Sequence, residues 1–275
     1  MTAAEALDEP GFDEAGFDEV AALLAATQGA DATGWRPEDR LDDVLVWDSL
    51  AVAEALELFE ERGRWLAPEA VASLSTLGDV AHYLAAPGTR VDGSGIEPPR
   101  LVPMTAADEP AALRLHTEGG ALTRYRLRGT TPSPEQFHRF LWDQVLVQHL
   151  VVAGTEVIGM VTAFEADHRN RHAHVAAIAA PAHRSTGLVP WALLRFVDEL
   201  FATFDLRKLY AEVLEPNLAA FGSGLDRRFA IEGRLRGHEY VDGDYVDLLV
   251  LATTPSSVAP DRERRRVEGA GEPVR

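Results

Sequence analysis

The sequence predicts two domains of different class, a small all-helical bundle followed by an α/β (α+β) domain. Three observations carry that expectation. Apolar residues recur at helical spacing as far as residue 86. After residue 100 apolar strand-like runs alternate with a helical one. Between them, residues 87–99 hold Pro87, Gly88, Pro98 and Pro99 among Gly, Ser and Asp, the composition of a flexible linker. A chain of 275 residues, 46% of them hydrophobic and 25% charged, is long enough for two cores.

Residues 1–16 are acidic and broken by Pro10, Gly11 and Gly16, and read as a loose leader. Phe17, Val20, Leu23 and Leu24 have helical spacing. Gly34 and Pro37 mark a loop. A second helix is expected from Ser49 to about Arg62, with Leu50, Ala53, Leu56 and Phe59 apolar, Glu54, Glu57 and Glu61 on one stripe, and Gly63 as its stop. A short helical stretch after Pro68 and a last helix from Thr76 to Leu84 make the fourth-helix bundle of residues 17–86. In the second part, Leu146–Ala153 and Val157–Phe164 read as a hairpin around Gly154, Thr155 and Glu156. His174–Ala180, Lys208–Leu214 and Val246–Thr253 read as further strands, and Val189–Phe204 as a helix. Strands interleaved with helices define the α/β class over residues 100–253. Residues 254–275, rich in Pro, Ser, Arg and Glu, read as a disordered tail.

Composition excludes several chemistries. There is no cysteine, hence no disulfide framework, thiolate metal site or cysteine nucleophile. No apolar run reaches the length of a membrane span, and the N-terminus has no basic-then-apolar leader, so the expected location is the cytoplasm. The net charge of −18 is unevenly spread: residues 1–99 carry 21 acidic against 5 basic residues, and residues 100–253 carry 19 against 16. Such a first third repels nucleic acid and suits partners with a basic docking face. Glu165, Asp167 and His168 lack the spacing of a metal signature. The tryptophans Trp65, Trp142 and Trp191 read as packing residues. Arg124, Arg126 and Arg128 alternate, so they share one strand face or crowd a loop, either as a solvated face or to receive the acidic first third of the chain or an anionic substrate.

Asp48, Ser49 and Leu50 open the second helix. Taken alone, Asp and Ser there are a capping pair. In context, Leu41–Leu50, Ala53–Glu61 and Thr76–Leu84 together resemble the centre and last helix of an acyl or peptidyl carrier protein, a likeness covering residues 15–87. That resemblance implies a four-helix bundle, with a 4′-phosphopantetheine arm on Ser49 beside Asp48 and the acidic stripe as docking face. It also implies a phosphopantetheinyl transferase, and a carrier-loading ligase or adenylating enzyme, as partners. A phosphodiester at Ser49 would sit at a helix N-terminus, whose free amides and dipole favour an anion. The glycine usual three residues before the serine is Val46 here.

His183-Arg184-Ser185-Thr186-Gly187-Leu188-Val189 follows a strand and opens a helix, with Pro190 in its first turn; such a turn is able to aim backbone amides at a phosphate. With His174–Phe204, Arg207–Val213, Glu215–Ala220, Arg228–Arg236 and Tyr240–Asp247, it resembles the GNAT N-acetyltransferase superfamily, nearest the branch that acetylates ribosomal-protein alanines. The resemblance implies a mixed, mostly antiparallel sheet whose fourth and fifth strands splay around a pantetheine. It implies acyl-CoA as cosubstrate on the loop Arg184, Ser185, Thr186, Gly187 and Val189, and Asn217 near the pantetheine. Backbone amides at Ile178 and Ala179 are expected to polarise the thioester carbonyl. Val189 departs from the usual Gly or Ala, a substitution expected to crowd a pyrophosphate, and Gly224 stands where a tyrosine acid is common. The superfamily's usual base position, counted back from Arg184, falls on His174, with His172 on the same strand face; an imidazole titrates near neutrality and suits that role. Together the two likenesses imply acyl transfer between a phosphopantetheine thioester, of CoA or on Ser49, and a small-molecule amine or aminoacyl group in specialised-metabolite biosynthesis. Self-loading of the carrier by S-acyl transfer, and a non-catalytic scaffold, are the alternatives.

Overall fold

The computed structural model describes residues 14–61, 65, 74–85 and 98–258. By chain contacts it divides into two units. The first comprises Met1–Pro98 with Ser185–Trp191 and Ala220–Gly224, and the second comprises the rest.

The first unit is built on α1 (Glu14–Gln28), the single turn α2 (Leu41–Val44), α3 (Ser49–Glu61) and α4 (Leu77–Ala85). On α1, Phe17, Val20, Ala21, Leu24 and Ala25 are buried, the i, i+3, i+4 stripe of an amphipathic helix. α3 is buried on every side from Leu50 to Phe59, which marks it as the central element. Phe59 meets Tyr83 of α4 edge-on, ring centroids 6.4 Å apart. Two local devices shape the ends. Thr76 and Asp79 cap α4 reciprocally: the Thr76 amide donates to Asp79 Oδ2 at 2.8 Å, and the Asp79 amide donates to Thr76 Oγ1 at 3.1 Å. These bonds, with those from Ser75, hold the Asp79 carboxyl below its ordinary range against the opposing effect of burial. The Gly78 amide donates to Pro37 O at 2.8 Å, and a Cβ on Gly78 would stand 2.9 Å from that oxygen.

Three expectations for this unit change. α1 starts at Glu14, so the leader ends earlier than residue 16. Glu54 and Glu57 are buried, so the acidic stripe of α3 is not an open docking face; a carboxylate taken from water needs partners, and both residues have them. The helix expected after Pro68, the linker core and most of the leader and tail lie outside the described residues, so a four-helix count rests on more than the described part contains.

The second unit is a seven-stranded sheet, in the order β1 (Arg100–Pro103), β2 (Val145–Ala153), β3 (Glu156–Asp167), β4 (His172–Ala179), β5 (Lys208–Leu214), β7 (Asp244–Thr253), β6 (Ala230–Val241). All neighbours pair antiparallel except β4 and β5. A parallel pair needs a long crossover, and α8 (Leu188–Thr203) supplies it. The β2–β3 hairpin turns at Gly154, whose φ of 56° suits a residue without Cβ. α5 (Glu109–Thr117), α6 (Ala121–Arg124) and α7 (Pro134–Trp142) carry the core that includes Leu115, Phe137, Leu141, Met160 and Ile178. The sheet is therefore the expected mixed, mostly antiparallel one. After β7, residues 255–258 form a helical turn with Val258 buried, so the tail is ordered at its start.

Candidate active site

β4 and β5 pair over only three registers, His172 with Lys208, Ala173 with Leu209 and His174 with Tyr210. Beyond His174, β4 continues to pair with β3, while β5 pairs with β7 alone. The two strands thus part just after His174, which opens backbone groups of both to one gap. Alternation within the β3–β4 ladder decides which amides face it. The Ala180 amide donates to Ile158 O at 2.8 Å, so the amides of even-numbered residues point at β3. Ala179 therefore presents its N–H to the gap. Ile178 does not, and its side chain is buried in the core on one sheet face. Of the two amides expected to polarise a carbonyl, Ala179 is the one placed for it.

His174 lies in a row of rings running across three strands. Phe164 is its register partner on β3, with centroids 5.7 Å apart, and Tyr210 its partner on β5, also at 5.7 Å. His172 shares the face and meets Tyr210 at 5.5 Å, but its Nε2 lies 3.9 Å from Asp167 Oδ2 and its Nδ1 is buried. His174 is thus the histidine at the fork, and His172 is a neighbour held by Asp167 and Tyr210.

Arg126 stands over the same row. Its guanidinium lies 3.9 Å from the Phe164 ring centroid and 4.8 Å from that of Phe140. Of the two expected placements the three arginines take the loop and not a strand face: Arg124 ends α6 and Arg128 has a φ of 49°. Arg124 Nε donates to Asp242 at 2.9 Å and Arg128 Nε lies 3.5 Å from Glu239, so Arg126 is the one of the three on the aromatic row. Burial pulls the Arg126 guanidinium below its usual range, and the charges of Tyr125, Glu165 and Glu212 act the other way. Glu165 also lines a cleft of about 550 Å³ with Gln144, Val145, Leu146, Ala166 and His168. Phe164, Tyr210 and Arg126 are the residues that sequence spacing did not single out together. The one available signal was the run of ring-bearing residues on β3, β4 and β5, and it needs the register to become visible.

The loop residues fall as follows. Arg184 Nη1 donates to Gly119 O at 2.6 Å, so part of its fork is already engaged. Ser185 and Gly187 have φ of 65° and 75°, and the Leu188 amide meets Thr186 Oγ1 at 3.4 Å. Val189 is 2% exposed inside α8. In the first unit, a Cβ on Gly187 would lie 2.4 Å from Val52 Cγ1 and 3.2 Å from the Ala53 amide nitrogen. The close approach that this glycine permits is made by α3. Asn217 is exposed on the 3-10 helix Glu215–Gly224.

Ser49 is half-buried at the first turn of α3, and its hydroxyl has no hydrogen-bond partner among the described residues. Asp48 Oδ1 caps the helix, accepting from the Leu50 amide at 3.0 Å and the Ala51 amide at 2.9 Å. The amides expected to be free for an anion at Ser49 are thus already taken. Asp48 also accepts from the Ser223 amide and hydroxyl, each at 2.7 Å. Among the described residues no helix is long and apolar enough to cross a membrane.

A splayed parallel pair inside an otherwise antiparallel sheet, with a loop and helix after the fourth strand, is the arrangement that the GNAT resemblance implied. Residues 100–222 match the family model of the acetyltransferase (GNAT) domain. The chain is 28% identical over 109 residues to the spermidine N(1)-acetyltransferase of Escherichia coli K12, a match covering 40% of this chain and 59% of that protein; an O157:H7 counterpart matches equally. The chain thus spans about three-fifths of the length of these relatives. Among solved structures, a mutant spermidine/spermine N-acetyltransferase from Vibrio cholerae superposes with a TM-score of 0.51 at 21% identity, covering 60% of this chain and 98% of that one. The spermidine N-acetyltransferase from the same organism in complex with CoA and spermine gives 0.50 at 21%, covering 58% and 98%. These likenesses stand at the level of the superfamily fold, not of the ribosomal-protein branch.

Proposed function

We propose that this chain is an N-acyltransferase that moves an acyl group from a phosphopantetheine thioester to a small-molecule amine. The observation that carries the reading is the fork of β4 and β5 directly beyond His174, with the Ala179 amide on its edge. In the transfer, the amine nitrogen attacks the thioester carbonyl carbon and the tetrahedral carbon collapses. A C–N bond forms, the C–S bond breaks, and the sulfur leaves as a thiol once protonated. His174 takes the proton that the amine loses. The Ala179 amide donates to the carbonyl oxygen as negative charge develops on it. Amines are the acceptors of the spermidine acetyltransferase relatives, by their names, which supports an amine here.

A specific observation favours a covalently held donor over free acyl-CoA. Gly187 of the loop is packed against Val52 and Ala53, and Asp48 is bonded to Ser223. Both contacts lie within the first turns of the helix that Ser49 opens. Ser49 is the residue that would hold a 4′-phosphopantetheine arm, and the arm would supply the thioester. In this reading residues 17–86 are a carrier domain, 87–99 a linker and 100–253 the transferase. A phosphopantetheinyl transferase and a loading ligase serve it in a specialised-metabolite pathway. A tether of about a dozen residues holds the two parts at an effective concentration of about millimolar.

The test uses the full chain. A promiscuous phosphopantetheinyl transferase and acetyl-CoA install an acetylated arm, free CoA is removed, and intact mass is followed after addition of amines. The expected result is one acetyl-phosphopantetheinyl increment, absent in Ser49→Ala, whose acetyl portion is lost to an amine in wild type and retained in His174→Ala. Amide formation from free acetyl-CoA with an unmodified Ser49 would remove the carrier and leave the transferase. Amide formation from neither donor would remove the transferase.

A further inference from the structure

Among the described residues, Arg126 is a cation on the ring-lined face whose guanidinium has no acidic partner in an ion pair. Its two neighbouring arginines are paired, with Asp242 and Glu239. Lys208, on the same row, is paired with Glu232. Arg126 is half-buried between the Phe140 and Phe164 rings, and among the described residues no carboxylate or carbonyl accepts from its guanidinium. Glu165 and Glu212 act on it through space without forming an ion pair. A guanidinium taken partly out of water and left unpaired is unfavourable, and the rings cover it while its N–H groups have no acceptor among the described residues. A planar donor edge of this kind matches a carboxylate with two parallel hydrogen bonds.

The position gives the partner its role. Phe164, on which Arg126 rests, is the register neighbour of His174. An acceptor whose amine meets His174 would place a group a few bonds away beside Arg126. We infer that the acceptor is an amine that also carries a carboxylate, of amino-acid type, with Arg126 binding the carboxylate, and not a polyamine. The inference rests on the transferase reading of the same face. The acidic residues Glu165 and Glu212 nearby suit the ammonium of such a zwitterion before it loses its proton. Polyamines, the substrates named for the matched relatives, would bring only positive charge towards Arg126 and Lys208, a like-charge arrangement that costs affinity. An acceptor with a free carboxylate is also not itself held as a thioester, which agrees with the arm on Ser49 as donor.

The experiment pairs the common amino acids with their decarboxylated amines, and adds spermidine. Both kcat/KM, with the acetylated holo chain or acetyl-CoA as donor, and the thermal shift on binding are read for the full chain. The expected result is at least one amino acid preferred tenfold or more over its decarboxylated amine. That ratio should fall to near one in Arg126→Met, mainly through KM, and be intermediate in Arg126→Lys, which keeps the charge and loses the fork. Preference for spermidine or for the decarboxylated amines overturns the inference. So does a ratio that Arg126→Met leaves unchanged while lowering both rates, since that is a structural role. If no amine is acylated, binding decides: a thermal shift by an amino acid that Arg126→Met abolishes keeps the carboxylate site and removes the transferase reading, and no shift removes the site.

Discussion

The turn at Ser49 and the ring row at His174 are two candidate reaction centres made in opposite ways. At Ser49 the determining contacts are local: Asp48 caps the amides of Leu50 and Ala51, its near neighbours in the chain. At His174 nothing local decides. Its partners Phe164, Tyr210 and, through Phe164, Arg126 come from β3, β5 and the turn after α6, and they meet only when the sheet is in register. The lesson is that a site of the first kind survives as a sequence motif, whereas a site of the second kind exists only as register. A motif also misleads where a neighbouring side chain intervenes, as Asp48 shows by capping the very amides that the motif left free.

Substitutions at five positions sharpen this contrast, from the largest effect down. His174→Ala removes the one imidazole at the fork and is expected to lower acyl transfer about 10²–10⁴-fold, measured as single-turnover loss of the acetyl group with circular dichroism unchanged. An unaltered rate would show that the register brings His174 to the gap without using it. Next is His116 of α5, fully buried among Tyr125, Phe137 and Phe140, with Nδ1 2.8 Å from Ala112 O. Burial, the leading cause, pushes its imidazole from 6.5 down to about 4. Between those values the unfolded chain binds the extra proton. Stability is therefore full above about pH 6.5, falls as pH drops to about 4, and loses roughly 3 kcal/mol across that window. Urea titrations at stepped pH should show this slope, and His116→Phe should flatten it.

Three smaller effects probe the local side of the comparison. Gly78→Ala drives a Cβ to 2.9 Å from Pro37 O, a backbone atom that cannot swing away. A loss of about 1–3 kcal/mol is expected in chemical denaturation. Gly154→Ala, with open space around it, meets only the strain of a left-handed φ, about 1 kcal/mol. Thr76→Ala should cost about 1 kcal/mol as a lost cap of α4, and Thr76→Ser, which keeps the acceptor, much less. Equal effects for the last two would mean that the cap bond to Asp79 contributes nothing.

α1, α3 and α4 of the first unit were legible from apolar spacing, whereas the single turn α2 was not; the β2–β3 hairpin was legible too, because buried strands flanking a glycine turn carry their own signal. β6 was not. Its Ile231 and Leu235 are exposed and its Gly233 and Gly237 interrupt any alternation, so it is a strand only because β7 pairs with it. β1, four residues long, is likewise defined by its pairing with β2. α7 did announce itself, since Ser133 and Gln136 form a capping box around Pro134, but its mean polarity hid it. In the candidate site, His174 was singled out only through the GNAT resemblance, by its place before Arg184, whereas Arg126 was obscured by an alternation with Arg124 and Arg128 that the helix end and the positive φ at Arg128 dissolve.

By itself the sequence determined the division into a helical first part and a sheet-forming second part, the positions of the main helices and central strands, and the two turns where Ser49 and Gly187 stand. Apolar period, caps and glycines act within a few residues, so they are written along the chain. Only the tertiary structure decided that Glu54 and Glu57 are buried, that Val189 points into the core, that Ala179 rather than Ile178 faces the gap, and that Arg126 rests on the ring beside His174. Each of those outcomes depends on which atoms from distant segments remove water from one another, and on a strand register that shifts whole faces at once.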